Sequence, residues 1–339
     1  MELKTLKKHF RTAKKVTLTS HLSPDADAIG SCVGLREALL KKGMEVYIIV
    51  PDAYPDFLDW MDEDNEIMIF DKQEEKSLKV LSESDIIFSL DYNKLSRVGD
   101  GLGDAINSAD CIKIMIDHHR DPDDYPDYMI SDVKASSTAE LICRFLIGLG
   151  WFKSLSLLGA EALYAGIMTD TGNFRFNSTS ENTHKTAAKL LGLGVKGDTV
   201  YNRIYDQNSI NRLKLLGHVL DQRMKVFPEL NAVYFWLPLE DKKQFNVQKG
   251  DTEGFVNYGL SVKGMVFSTF ITEDEDKIKF SFRSKGDFSV HEFAITFNGG
   301  GHFNAAGGRL SDVSLNEAII RFEEELYKKA DLLNKPFKA

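Results

Sequence analysis

Three short apolar runs in this chain, at 16–20, 85–90 and 111–116, each stop at an aspartate or a histidine: His21, Asp91 and the triplet Asp117-His118-His119. Runs of that length, rich in Val, Ile and Phe, read as strands buried on both faces. Further strand-like runs at 45–50 and 67–70 alternate with helical patterns at 28–42, 74–82 and 137–149. That alternation predicts an α/β fold whose N-terminal domain is a doubly wound, mostly parallel sheet covered by helices. In such an open sheet the carboxyl ends of the strands share one edge, and ligands bind there where the strand order reverses. The three polar clusters are therefore expected to converge in space.

Beyond residue 195 the texture changes. Residues 196–224 read as a charged helical connector, with Leu213, Leu216 and Leu220 available for packing. Period-2 alternation then predicts strands at 232–237, 265–272 and 277–283, followed by helical patterns at 290–297 and 315–333. The expected layout is a catalytic domain at 1–195, the connector, and a smaller C-terminal α+β domain at 225–339, with a cleft between the two domains.

Two more stretches add oxygen and nitrogen donors: His21-Leu22-Ser23-Pro24-Asp25-Ala26-Asp27 and Thr169-Asp170-Thr171-Gly172, the latter also expected at a strand end or in the following loop. Hard divalent cations take carboxylate oxygens, and borderline ones accept imidazole as well. Taken singly, Pro24-Asp25 also suits a turn and Asp27 also suits a helix cap. Jointly, Asp25, Asp27, Asp91 and Asp170 carry negative charge that two divalent cations would offset. Asp91, standing alone between the other clusters, is the natural bridge, with ions about 3.5 to 4 Å apart as in hydrolytic two-metal sites. The chemistry suggested is phosphoester hydrolysis.

With 42 Lys and Arg against 51 Asp and Glu, the net charge is −9. Long nucleic acid held by phosphate neutralisation calls for a basic surface, so long duplex partners are not expected. Three cysteines without CxxC spacing read as structural thiols. No apolar run is long enough for a membrane helix and no signal-peptide centre is visible, so a cytoplasmic location is expected.

The other unusual stretch is Asn298-Gly299-Gly300-Gly301-His302-Phe303-Asn304-Ala305-Ala306-Gly307-Gly308. Three consecutive glycines cost backbone entropy and imply positive φ or close backbone approach. A helix starting near His302 would offer free amides to a phosphate, whereas tight helix-to-strand packing would explain the glycines without a ligand.

The His-x-x-Pro-Asp-x-Asp stretch, Asp91, the Asp117-His118-His119 triplet and Thr169-Asp170-Thr171-Gly172-Asn173-Phe174 resemble, in order, the motifs of the DHH phosphoesterase family. The resemblance implies His21 and Asp25 on one metal, Asp27, His118 and Asp170 on the other, and Asp91 bridging. It further implies His119 facing the scissile phosphate and Asp117 orienting His118. Manganese is the implied metal, while ligand chemistry alone allows manganese or magnesium. Gly-Gly-Gly-His followed by Ala-Ala-Gly resembles the substrate-binding domain that accompanies many DHH domains. There His302, Gly300, Gly301 and a strand arginine, here Arg283, would grip the nucleotide.

The whole layout is similar to the nanoRNases of that family, which are also 3′-phosphoadenosine 5′-phosphate phosphatases. The expected substrates are RNA oligomers of roughly two to five nucleotides, short enough not to need an extended cationic groove. Alternatives are a linear or cyclic dinucleotide phosphodiesterase and a non-catalytic nucleotide sensor. A homodimer is compatible with the pattern.

Overall fold

The structure is a computed structural model describing residues 3–248 and 250–334. It divides into two compact units between Gln207 and Asn208.

In the first unit, α1 (Leu3–Thr12) leads into β1 (Lys15–Thr19), α2 (Ala26–Leu40), β2 (Glu45–Val50), β3 (Met68–Ile69), α3 (Phe70–Ser82), β4 (Ile86–Leu90), α4 (Asp100–Ser108), β5 (Ile112–Asp117) and β6 (Tyr128–Ser131). Four helices complete it: α5 (Thr138–Leu149), α6 (Leu157–Asp170), α7 (Glu181–Leu191) and α8 (Gly197–Tyr205). The six strands pair in the order β3-β2-β1-β4-β5-β6, every pair parallel. The order reverses between β1 and β4, so the expected switch point lies between those two strands.

Both faces of this sheet are covered, as its continuous apolar strands require. On one face Ile29, Val33, Ile142, Leu146, Leu163 and Ile167 of α2, α5 and α6 pack on Leu18, Phe88 and Ile116. On the other, Phe70, Leu81, Leu102 and Ile106 of α3 and α4 pack on Ile49 and Ile87.

Helix α6 is not expected from the sequence, because LLGAEALYAGIM is apolar on every side and shows no amphipathic stripe. Asp170 consequently lies at the end of a helix, not of a strand, which corrects the expectation for that motif. Strand β6 and helices α4 and α7 were also not expected. Cys32 and Cys143 are buried and Cys111 is half-buried, all as free thiols.

The second unit contains α9 (Ile210–Gln222), β7 (Met224–Phe227), β8 (Ala232–Leu237), α10 (Leu239–Gln244), α11 (Phe255–Ser261), β9 (Phe267–Glu273), β10 (Lys277–Ser284), α12 (Val290–Ile295), β11 (Gly300–Gly301), β12 (Ala305–Ser311), α13 (Leu315–Lys328) and α14 (Ala330–Leu333). Its strands run β11-β12-β10-β9-β8-β7, antiparallel except for β8 with β9. This mixed sheet is the α+β architecture expected for the C-terminal part. Phe267, Phe282, Phe293, Phe297 and Phe322 form the main core under α12 and α13. Residues 196–224 comprise two helices, α8 in the first unit and α9 in the second.

Close packing of α2 against α6 relies on glycine. A Cβ on Gly30 would stand 2.4 Å from the Ala162 carbonyl oxygen, whereas one on exposed Gly217 of α9 would meet nothing within 4 Å. Denaturant titration is therefore expected to show Gly30→Ala destabilised by about 1–3 kcal/mol through overpacking. Gly217→Ala is expected to be stabilised by about 0.5–1 kcal/mol through lost backbone entropy.

Candidate metal centre

Strands β1, β4 and β5 are neighbours, so the residues after their carboxyl ends meet at one edge. His21 comes two residues after β1, Asp91 directly after β4, and Asp117 closes β5 with His118 and His119 beyond it. Helix α2 leaves the same edge. Its N-cap is Asp25, whose side chain accepts from the amides of Asp27 and Ala28, and Asp27 follows in the first turn. The capping role considered for Asp27 thus belongs to Asp25. Helix α6 delivers Asp170 from the opposite direction, at its carboxyl end.

Asp91 belongs to three groups of donors whose atoms lie within 4.8 Å of one another: with His21 and Asp25, with Asp27 and His118, and with Asp117 and His119. Asp91 Oδ2 is 3.3 Å from His21 Nε2, while its Oδ1 is 3.5 Å from His118 Nε2. His118 Nε2 is also 3.3 Å from Asp170 Oδ2 and 3.9 Å from Asp27 Oδ2. All six expected metal-ligating residues are therefore brought together, and they could hold divalent cations.

Asp117 has a different partner from the one expected. Its Oδ1 is 2.7 Å from His119 Nδ1 and its Oδ2 accepts from the His119 amide at 2.9 Å. His118 Nδ1 instead faces the Ala135 carbonyl oxygen at 3.4 Å. Asp117 orients His119, because a carboxylate that accepts the amide two residues on sits on the side of the chain where the second histidine, not the first, can reach it.

Charge is crowded here. Burial works against ionising Asp91, but hydrogen bonding to His118 and His21 holds its carboxyl well below the usual range. Burial and the charges of Asp91 and Asp170 drive Asp27 well above it. Asp170 is pushed up to about 8 by burial, which His118 opposes and Asp25 and Asp91 reinforce. Burial opposes charging of His118 and His21, yet the surrounding carboxylates outweigh it and raise both. His119 is lowered by burial despite Asp117, with the nearby Arg97 charge adding to the effect. Asp27 and Asp170 are thus pushed toward the protonated form, a crowding that bound cations would relieve.

Several groups in the centre were invisible to sequence reasoning. The Thr138 and Ala139 amides donate to the two oxygens of Asp27 at 2.7 and 2.8 Å, and Thr138 Oγ1 donates to Asp91 Oδ1 at 2.9 Å. Backbone strain also gathers here. Ser23, Asp91, Asp121, Asn173 and Phe174 all take positive φ, and each lies in or shortly after one of the donor stretches. The sequence signal for Thr138 was only Ser136-Ser137-Thr138 before a helical run, which any N-cap would give.

In the second unit, Arg283 of β10 pairs with Ala305 of β12, and Gly300 and Gly301 of β11 pair with Gly307 and Ala306 on the other side of β12. The His302 amide donates to Ala305 O at 2.7 Å. All four residues expected to bind substrate thus lie at one end of that sheet. No helix begins at His302, which overturns that route to a phosphate site: β12 follows instead. The glycines answer to strand packing, since a Cβ on Gly299 would be 1.9 Å from Gly307 O and Gly301 has φ +145°. His291 of α12, not anticipated, braces the loop with Nδ1 2.7 Å from Gly301 O.

Residues 15–167 match the family model described as DHH family, N-terminal domain, and residues 230–329 match the DHHA1 domain. The chain is 32% identical over 313 residues to the bifunctional oligoribonuclease and PAP phosphatase NrnA of Thermus thermophilus, covering 91% of this chain and 88% of that protein. The protein of the same description from Bacillus subtilis is 30% identical over 321 residues, covering 92% and 95%. The crystal structure of an exopolyphosphatase-related protein from Bacteroides fragilis superposes with TM-score 0.93 at 41% identity, covering 98% of this chain and 97% of that one.

Asp170 provides a test of the crowding. A carboxyl with a raised folded-state value keeps its proton when folded and loses it when unfolded, so stability falls as pH rises from the ordinary value of about 4 to about 8. Thermal melts of chelator-treated protein are expected to show Tm declining across that window, with a shallower decline in Asp170→Asn.

Proposed function

The chain belongs to the DHH family and carries a DHHA1 domain; from that premise we propose a divalent-metal-dependent phosphoesterase that hydrolyses very short oligoribonucleotides to nucleoside monophosphates. The same centre would convert 3′-phosphoadenosine 5′-phosphate to AMP. The relatives' described activities support this choice of substrates. The observation that carries the two-metal part is the arrangement of Asp91, whose two oxygens face different imidazoles in two donor sets.

In this reading His21 and Asp25 hold one cation, Asp27, His118 and Asp170 the other, and Asp91 serves both. Manganese suits the mixture of imidazole and carboxylate, and magnesium would be the weaker fit. Bound there, the two cations would supply Lewis acidity toward a phosphoryl group and a water nucleophile at neutral pH.

The chain's own residues do the rest. Asp117 fixes the His119 ring through Nδ1, and in this reading the ring so held would face the substrate phosphate. The α5 amides keep Asp27 ordered. In the second unit Arg283, with Gly300, Gly301 and His302, forms the nucleotide grip, a guanidinium fork being suited to phosphate. The net charge of −9 favours small substrates over long duplex RNA.

Purified protein with Mn2+ is expected to release mononucleotides from an end-labelled RNA dinucleotide, and a chelator is expected to abolish the release. Asp91→Ala is expected to lower kcat/KM by about 10² to 10³-fold, as loss of transition-state charge stabilisation would. Full turnover by Asp91→Ala, or by wild type in chelator, would overturn the proposal.

A further inference from the structure

Resting on the two-metal reading above, we infer that Thr138 is a positioning residue that sets the rotation of the Asp91 carboxylate, so that each of its oxygens serves one donor set. A carboxylate rotates softly about its last side-chain bond. For Asp91 the backbone is pinned: φ is +65° and the amide donates to Ile116 O at 3.2 Å. The carboxylate plane is not pinned by that. Thr138 Oγ1 adds a short constraint at Oδ1, 2.9 Å against 3.5 Å for His118 Nε2 at the same oxygen, and leaves Oδ2 facing His21.

The same residue also addresses the other helix. Its amide, with that of Ala139, engages both oxygens of Asp27. One residue therefore ties a donor on α2 to a donor after β4, and each engaged oxygen keeps a second lone pair for a cation. Thr138 and Asp27 are fully buried and Asp91 is 2% exposed, so water does not compete for these bonds.

The frame behind Thr138 is stiff. Ser137 caps α5 by accepting from the Glu140 amide. Glu140, itself buried, accepts from the Ser136 amide and hydroxyl and from Thr183 Oγ1 of α7, at 3.0, 2.6 and 2.9 Å. The positive end of the α5 dipole points at the carboxylates it organises. A β-branched hydroxyl suits the task, because branching narrows χ1.

The test is calorimetric Mn2+ titration of the metal-free protein, run beside steady-state hydrolysis of an RNA dinucleotide, on wild type, Thr138→Val and Thr138→Ser. Thr138→Val preserves shape and deletes the donor; Thr138→Ser restores the donor. Wild type is expected to bind two Mn2+. Thr138→Val is expected to bind at least one of them about tenfold or more weakly and to lose kcat by a similar factor, as lost outer hydrogen bonds to metal ligands do. Thr138→Ser is expected to recover most of both.

Metal-free melts identify a variant that has merely failed to fold; if Thr138→Val does so, Thr138→Ala, which also deletes the donor, takes its place against Thr138→Ser in the Mn2+ titration. Wild-type affinity and kcat in Thr138→Val would overturn the inference. So would a well-folded Thr138→Ser as impaired as Thr138→Val, since the hydroxyl would then not be the agent. Wild type that binds no Mn2+ would overturn the metal reading itself, and shows in the parent titration before any variant is compared.

Discussion

The close seating of α6 on α2 is the constraint on which the rest of the first unit depends. It is built from missing side chains: Gly30 and Gly34 of α2 leave room for Ala162 and Leu163, and a Cβ on Gly166 would stand 2.8 Å from Asp27 Oδ1 and from Ala139 Cβ. Only glycine at these places lets α6 approach until Asp170, at its end, reaches the edge where β1, β4 and β5 finish. Burial of the apolar surface of both helices drives that approach. It brings together carboxylates that would otherwise stay apart, so hydrophobic packing stabilises an electrostatically unfavourable arrangement.

Those carboxylates, once gathered, divide the labour among themselves. Asp91 stays ionised because two imidazoles face it, whereas Asp27 and Asp170 are pushed toward protonation. Backbone amides at the start of α5 partly offset the charge of Asp27. Strained residues flank the donors, from Ser23 before Asp25 to Asn173 and Phe174 after Asp170. Local strain and charge crowding together mean that the centre is organised by the surrounding fold rather than by its own stability.

Much of this was legible from residues. Short apolar runs ending in His21, Asp91 and Asp117 declared both the parallel sheet and the edge where donors meet, because in a two-sided sheet polarity can begin only where a strand ends. Other parts were hidden for physical reasons. α6 lacks a polar face, so nothing in LLGAEALYAGIM separates helix from buried strand. Thr138 resembles an ordinary helix start, and its role depends on two aspartates distant in sequence. The partner of Asp117 turned on which of two adjacent histidines its carboxylate reaches. The glycine run announced close approach, but not that the approaching group would be the β12 backbone.

In the proposed reading two divalent cations share Asp91. Anomalous diffraction from crystals grown with Mn2+ tests it most directly. Two anomalous peaks about 3.5 to 4 Å apart are expected, one beside His21 and Asp25 and one beside Asp27, His118 and Asp170, with Asp91 between them. A single peak, or peaks that leave Asp91 uncoordinated, would contradict it.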